Sequence, residues 1–305
     1  MGKYIVRRLL LLGVVLFGVS TLIFVILRLS GDPTALFVAE TATAEDVLKV
    51  RQAMGFDDPP YVQYGRFLAR AAVGDFGTSF RFSQPAIGIV LQRFPATLAL
   101  TVAAIGLATV AGVPLGVVAA LTRGSGGDRA VMVVTFLGQA VPTFWLGIMM
   151  ILFFAVELKL FPASGGGTAA QLVLPGATLG IYMLSRIARI TRSSMLEVLR
   201  QDYIRTARAK GLRERAVVLR HGLKSASISI VTMIGFTFAS LIGGAIVTET
   251  VFAWPGVGRL LVEAVYTRDY PVVQAAVFVT ALFVATCNLL TDLLYAYLDP
   301  RIRYG

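Results

Sequence analysis

The sequence predicts an all-α integral membrane protein with six transmembrane helices and a small extracytoplasmic domain after the first of them. Three observations carry that prediction. Only 15% of the 305 residues are charged and 56% are hydrophobic, whereas a soluble domain is nearer a quarter charged. Charge-free intervals recur at lengths of about 20 residues or more, enough to cross a hydrocarbon core. Lys and Arg gather at alternate ends of those intervals. The net charge of +11 invites a nucleic-acid partner, but basic residues at the ends of apolar spans are accounted for by topology and lipid headgroups. The expected surroundings are therefore the lipid bilayer, with no nucleic acid. A single cysteine, Cys287, lies inside an apolar run, which leaves no disulfide framework and no cysteine metal site.

The spans follow in order. Leu9–Leu27 is entered through Lys3, Arg7 and Arg8; it is too long for a signal-peptide core, and no clear cleavage site follows it. Phe94–Thr122 and Ala130–Val156 are the second and third, each carrying a proline (Pro114, Pro142) expected to kink its helix. Packing is favoured over a pathway as the role of those kinks. The fourth, about Leu172–Ile190, holds Arg186 and Arg189 near one end, from which they can snorkel to the interface. Ser225–Thr248 and Tyr270–Leu298 complete the set. The chain thus divides into a first span (1–30), an extracytoplasmic segment (31–93) and a core of five spans (94–305).

Orientation comes from the short flanks. Eighteen Lys and Arg lie at the N-terminus, in the Arg123–Arg129 turn, between Arg186 and Lys224, and at the C-terminus. The opposite short loops hold three: Lys159, Arg259 and Arg268. Both termini are therefore expected in the cytoplasm. In the 31–93 segment, Thr43-Ala-Glu-Asp46 opens a helix to about Met54, Asp57-Asp-Pro-Pro60 turns, and Val62, Phe67, Leu68 and Ala71 form an apolar face. Gly165-Gly-Gly167 reads as a flexible loop ahead of the fourth span.

The most informative stretch is the basic one. From Arg186 to Lys224 there are eleven Lys and Arg against three acids. The residues from Val198 to Leu223 are mostly helix formers, broken at Gly211, where the chain turns without a Cβ penalty. This predicts a helix–glycine–helix elbow within a loop of about 192–224, with small residues (Thr206, Ala207, Ala209) where another surface could approach. The blander reading is a solvated loop that only sets topology. On the other side of the membrane, a loop of about 249–272 carries Trp254, Tyr266 and Tyr270, which suit an interface. In the last span, Asn288, Thr291, Asp292 and Tyr295 share a polar face, with Arg186 or Arg189 in reach as partners for Asp292.

Catalytic constellations are absent. There is one histidine, His221, and no Gly-x-x-x-x-Gly-Lys-Ser/Thr loop to cradle ATP. The chain is not expected to be an enzyme or to carry a cofactor. An ion-coupled secondary transporter using Asp292 remains the alternative, although a self-sufficient carrier has no need of the long basic elbow.

The elbow resembles the cytoplasmic loop of ATP-binding-cassette (ABC) importer permeases. Aligned on Gly211, Arg205, Thr206 and Ala207 fill the family's Glu-Ala-Ala slot, while His221, Leu223 and Lys224 fill its Ile-x-Leu-Pro slot; Ala207, Gly211 and Leu223 match. The form Arg205-Thr-Ala-Arg-Ala-Lys-Gly-Leu212 resembles the dipeptide/oligopeptide/nickel branch, as do Leu29-Ser-Gly-Asp-Pro33, Met54 to Tyr64, Gly74 to Ser79, and the outer "scoop" from Glu249 to Gln274. The resemblance implies a type I permease subunit in a bacterial inner membrane. Its expected partners are a second, related but non-identical permease, two ATPase subunits that hold the ATP, and an extracytoplasmic binding protein. It implies ATPase coupling through Tyr203, Arg205, Thr206, Ala207, Lys210, Gly211 and Leu212, and binding-protein docking at Trp254, Pro255, Gly256 and Arg259. Asn288 and Asp292 are expected in the pathway or in helix pairing. Dipeptide, oligopeptide, glutathione, opine and metal chelate all stay open as cargo.

Overall fold

The computed structural model describes residues 2–29, 45, 48 and 57–298, with side chains for 6–29, 45, 48 and 57–293. The helix expected from Thr43 to Met54 lies outside the described residues, apart from Glu45 and Leu48. The elements are α1 (Gly2–Leu29), α2 (Pro60–Ala72), α3 (Ala86–Leu121), α4 (Gly126–Ala140), α5 (Thr143–Met150, continued by a π-helical turn Ile151–Glu157), α6 (Ala169–Val198), α7 (Asp202–Ala209), α8 (Glu214–Ala216, then a π-helical turn Val217–Leu223), α9 (Lys224–Val251), α10 (Val257–Tyr266) and α11 (Tyr270–Leu298). No named strand occurs among the described residues.

Four of these helical stretches are long and apolar enough to cross a bilayer: α1, α3, α8–α9 and α11. The expected third span is broken. The backbone of Val141 and Pro142 is extended, and α4 and α5 meet at a bend of 99°. Pro142 has no N–H to continue α4, so it opens α5 instead. Pro114 sits within α3 without ending it. The fourth expected span, α6, is long enough at 30 residues but falls short of the others in apolarity. Arg186, Arg189 and Arg192 lie along it, and its buried face includes glycine, serine and threonine. It is a helix that faces protein more than lipid.

The chain forms two compact units. The first comprises residues 1–95 and 256–285. Its core joins Ile23 and Leu27 of α1, Ala71 of α2, Phe76, Ile89 and Val90, Val257 and Leu260 of α10, and Val272 and Val273 of α11. The apolar face expected on α2 holds at Phe67, Leu68 and Ala71, whereas Val62 is exposed. Tyr64 takes its place, its ring against Phe24 and its hydroxyl 2.5 Å from Thr21 Oγ1. The buried carboxylate of Asp269 accepts from Ser79 Oγ at 2.5 Å and from the Phe80 and Arg81 amides at 3.2 and 3.3 Å. One side chain thereby closes the turn after Gly77 onto the start of α11.

The second unit, residues 96–255 and 286–305, is built around α6, which packs on α3, α4, α5 and α9. The α3–α6 contact is backbone on backbone. A Cβ on Gly116 would lie 2.5 Å from the Ala188 carbonyl, and one on Gly180 would lie 3.1 Å from the Ala104 carbonyl. Thr168 and Gln171 form a reciprocal capping box at the start of α6. The Gly165–Gly167 stretch is a packed element rather than a loose loop: the Gly165 amide donates to the Phe252 carbonyl at 3.1 Å, and a Cβ on Gly166 would lie 2.3 Å from Pro255 Cδ.

Candidate functional site

The elbow forms as the composition predicts. α7 ends at Ala209, Gly211 turns the chain at φ +75°, and helical structure resumes at Glu214. No atom would block a Cβ on Gly211, so the demand for glycine there is conformational rather than steric. The helix stands on an apolar seat. Ile204 (0% exposed) and Ala207 (6%) meet Val217, with Val198 and Leu199 packed alongside. Arg208 clips the turn, its Nε and Nη2 donating to Glu214 Oε2 and Oε1 at 3.1 and 2.7 Å. That guanidinium holds the Glu214 carboxyl below its ordinary range. Tyr203, Arg205, Thr206, Lys210, Gly211 and Leu212 face outward. Ala207, expected on the approach surface, points into the seat instead, where its size lets α7 lie close to Val217.

A second clamp, unforeseen in the sequence, lies where α4 begins. Asp128, two residues ahead of the apolar run, accepts Arg192 Nε and Nη2 at 2.7 and 2.8 Å and the Gly124 amide at 3.0 Å. These donors hold its carboxyl down at about 2. The pair ties the start of α4 to the last turns of α6, which lead directly into the elbow. A sequence signal existed, an acid in the first turn of a helix, but its partner is 64 residues away.

The outer loop differs from expectation. Trp254 is buried (5% exposed) among Leu100, Ala104, Leu179 and Leu241, and its Nε1–H donates to the Ala96 carbonyl at 2.8 Å. The indole closes the core beside Glu249, whose carboxylate accepts Thr97 Oγ1 at 2.6 Å. Gly256 is buried as well, while Pro255 and Arg259 are half-buried, Arg259 donating to Glu263 at 3.0 Å. The exposed surface lies at the far end of α10, from Val265 to Arg268, with Tyr266 85% exposed.

The kink at Pro142 opens a cavity of about 450 Å³ lined by Gln139, Pro142, Thr143, Tyr182, Arg186 and Ser240, among others. Arg186 lines this cavity. On α11, Thr291 packs against Gly235 of α9, and Asn288 and Asp292 are half-buried. Among the described residues, no ion pair joins Asp292 to Arg186 or Arg189, although Asp292 is not without a partner. Tyr295's side chain lies outside the described residues. Among the described residues, no group of three or more His, Cys, Asp or Glu could hold a metal ion.

Comparison with known proteins gives this geometry its context. Residues 112–304 match the family model described as the binding-protein-dependent transport system inner membrane component, and residues 1–101 match the N-terminal model of such membrane components. Over 305 residues the chain is 43% identical to the glutathione transport system permease protein GsiC of Escherichia coli strain K12, covering 100% of both chains. It is equally identical to that permease of Shigella dysenteriae serotype 1. Among solved structures, it is similar to the MetNI methionine ABC transporter in inward-facing conformations, at a TM-score of 0.57 and 22% identity, over 69% of this chain and 96% of that one. A crystal structure of an amino acid ABC transporter gives 0.51 and 13%, over 70% and 94%. These two bear on the fold alone. The family decides between the two functional readings of the sequence, against the ion-coupled carrier. The chain belongs to the binding-protein-dependent transport system inner membrane components and is a multi-pass inner-membrane permease subunit of an ABC importer.

Proposed function

We propose that this permease imports peptides or closely related small solutes, with glutathione the leading candidate, and that ATP is bound and hydrolysed on separate ATPase subunits docked at the elbow. The observation that carries the cargo reading is the 43% identity, along the whole of both chains, to a glutathione permease. On this reading a second, non-identical permease completes the pathway, and both termini lie in the cytoplasm.

The elbow suits force transfer. It is seated on its own chain through Ile204 and Ala207 and offers Tyr203, Arg205, Thr206, Lys210, Gly211 and Leu212 to a partner. It lies between the end of α6 and the start of α9. Displacing it moves two long helices, a population shift driven from outside the chain. A binding protein lands on the exposed end of α10 rather than on Trp254.

The test is Leu212→Asp in the complete importer. Uptake of reduced glutathione and recovery of the ATPase subunits should both fall about tenfold or more, with membrane insertion unchanged. Parent-like uptake would return the loop to a purely topological role.

A further inference from the structure

The cavity beside Pro142 is lined by a cation, Arg186. Among the described residues, Arg186 makes no hydrogen bond or ion pair, and the same holds for the Gln139 amide and the Tyr182 hydroxyl. All three line the cavity. No carboxylate stands among the residues that line it. Tyr182 and Arg186 lie four residues apart and so share one face of α6. The remaining walls include Leu179, Met183 and Leu241.

Depth makes this arrangement informative. Arg186 is six residues along α6 from Arg192, which at 1.5 Å per residue puts it about 9 Å inward of the Asp128–Arg192 clamp. Gln139, eleven residues along α4 from Asp128, lies about 16 Å inward. A guanidinium kept at such depth in a membrane protein is costly and faces a pathway or a partner by default. Three polar side chains without a hydrogen-bond partner among the described residues line one cavity, together with Thr143 and Ser240, a lining suited to a polar ligand. The volume, about 450 Å³, falls within the range that takes small organic ligands, roughly 300–1,000 Å³.

We infer that Arg186, with Tyr182 and Gln139, forms a transient carboxylate-binding station for the cargo inside the permease. The guanidinium takes a carboxylate of a short peptide, the Tyr182 hydroxyl donates to the same group, and the Gln139 amide meets a peptide carbonyl. Specificity for acidic or zwitterionic peptides then resides partly in this chain, not only in the binding protein. The inference rests on the peptide-cargo reading and adds the residues that contact the cargo.

The experiment uses the complete importer in phosphatidylcholine proteoliposomes, with radiolabelled reduced glutathione and its neutralised diethyl ester as probes. Both are supplied with the binding protein at matched occupancy. Arg186→Gln should lower glutathione uptake about tenfold or more while changing ester uptake and binding-protein-stimulated ATP hydrolysis less than about twofold. Arg186→Lys should recover most of the loss, and Tyr182→Phe, which keeps the shape of the site, should cost about two- to fivefold for glutathione only. Equal losses for the two probes, or glutathione uptake unchanged in both Arg186→Gln and Tyr182→Phe, would overturn the station and leave the cargo reading standing. An effect of Arg186→Gln that emerges only when phosphatidylglycerol is added would assign the site to lipid headgroups and overturn it too. ATP-dependent uptake of neither probe by the parent complex would overturn the cargo reading itself, and the station with it.

Discussion

Ile204 and Tyr203 are neighbours on α7 with opposite surroundings, so replacing each by alanine separates the folding of the elbow from its docking. Ile204 is fully buried against Val217, with Val198 and Leu199 packed alongside. Alanine there removes the three side-chain carbons beyond Cβ, about 0.8 kcal/mol each, and leaves a cavity that its walls only partly fill. The cost is about 2–5 kcal/mol. α7 has eight residues, too few to hold as an isolated helix, so the loss falls on the elbow itself. Tyr203 is 46% exposed, and its truncation should stay within about 0.5 kcal/mol of the parent. The assay is amide hydrogen exchange across residues 202–212 of the purified permease, paired with recovery of the ATPase subunits on affinity capture. Ile204→Ala should speed exchange about 30-fold or more, or to the unprotected limit, since each 1.4 kcal/mol is a factor of ten. Tyr203→Ala should leave exchange within about threefold and lower ATPase recovery. Parent-like protection in Ile204→Ala would refute the seat, and full ATPase recovery in Tyr203→Ala would refute the assignment of the docking face.

Three further outcomes follow from the same geometry. Asp128→Asn should lower the thermal stability of the purified permease at pH 7. Because the Asp128 carboxyl is held down at about 2 from an ordinary 3.8, the parent's advantage should be constant above about pH 4 and vanish as pH falls towards 2; an advantage that persisted at pH 2 would rule out the ion pair as its source. Trp254→Ala should destabilise the fold by about 3–5 kcal/mol in thermal melts, and Tyr266→Ala should leave the melt unchanged while weakening stimulation of ATP hydrolysis by the binding protein. A Trp254→Ala protein with an unchanged melt would contradict the buried indole. In a Cys287→Ser background, Thr267→Cys should react with an impermeant maleimide in spheroplasts and Arg215→Cys only after permeabilisation, and the reverse labelling would invert the topology.

What the sequence made legible, and what it did not, divides by range of interaction. The elbow could be read because its cause is local: helix formers on both sides of a glycine that alone tolerates φ +75°. The basic excess around it marks the loop before any fold is known. The burial of Trp254 was not legible, for the opposite reason. An aromatic before Pro-Gly at the end of an apolar span looks interfacial, and its burial depends on a carbonyl at Ala96, 158 residues away. The cavity beside Arg186 was likewise not legible, because it depends on the break at Pro142. Gly165–Gly167 looks like a flexible linker because its constraint, the Pro255 ring, is far along the chain. Composition marks α6 as the weakest of the expected spans, and its buried face explains why.

On the proposed function, energy enters through the elbow from ATP bound on separate subunits, and an uncoupler combined with an elbow variant tests this. The complete importer, reconstituted in proteoliposomes with ATP held constant, is assayed for glutathione uptake with and without an uncoupler. A parallel arm carries Leu212→Asp. Uptake should be unchanged by the uncoupler, abolished without ATP and lost in Leu212→Asp. Uptake that collapses with the uncoupler at constant ATP, or that proceeds normally in Leu212→Asp, would contradict this reading.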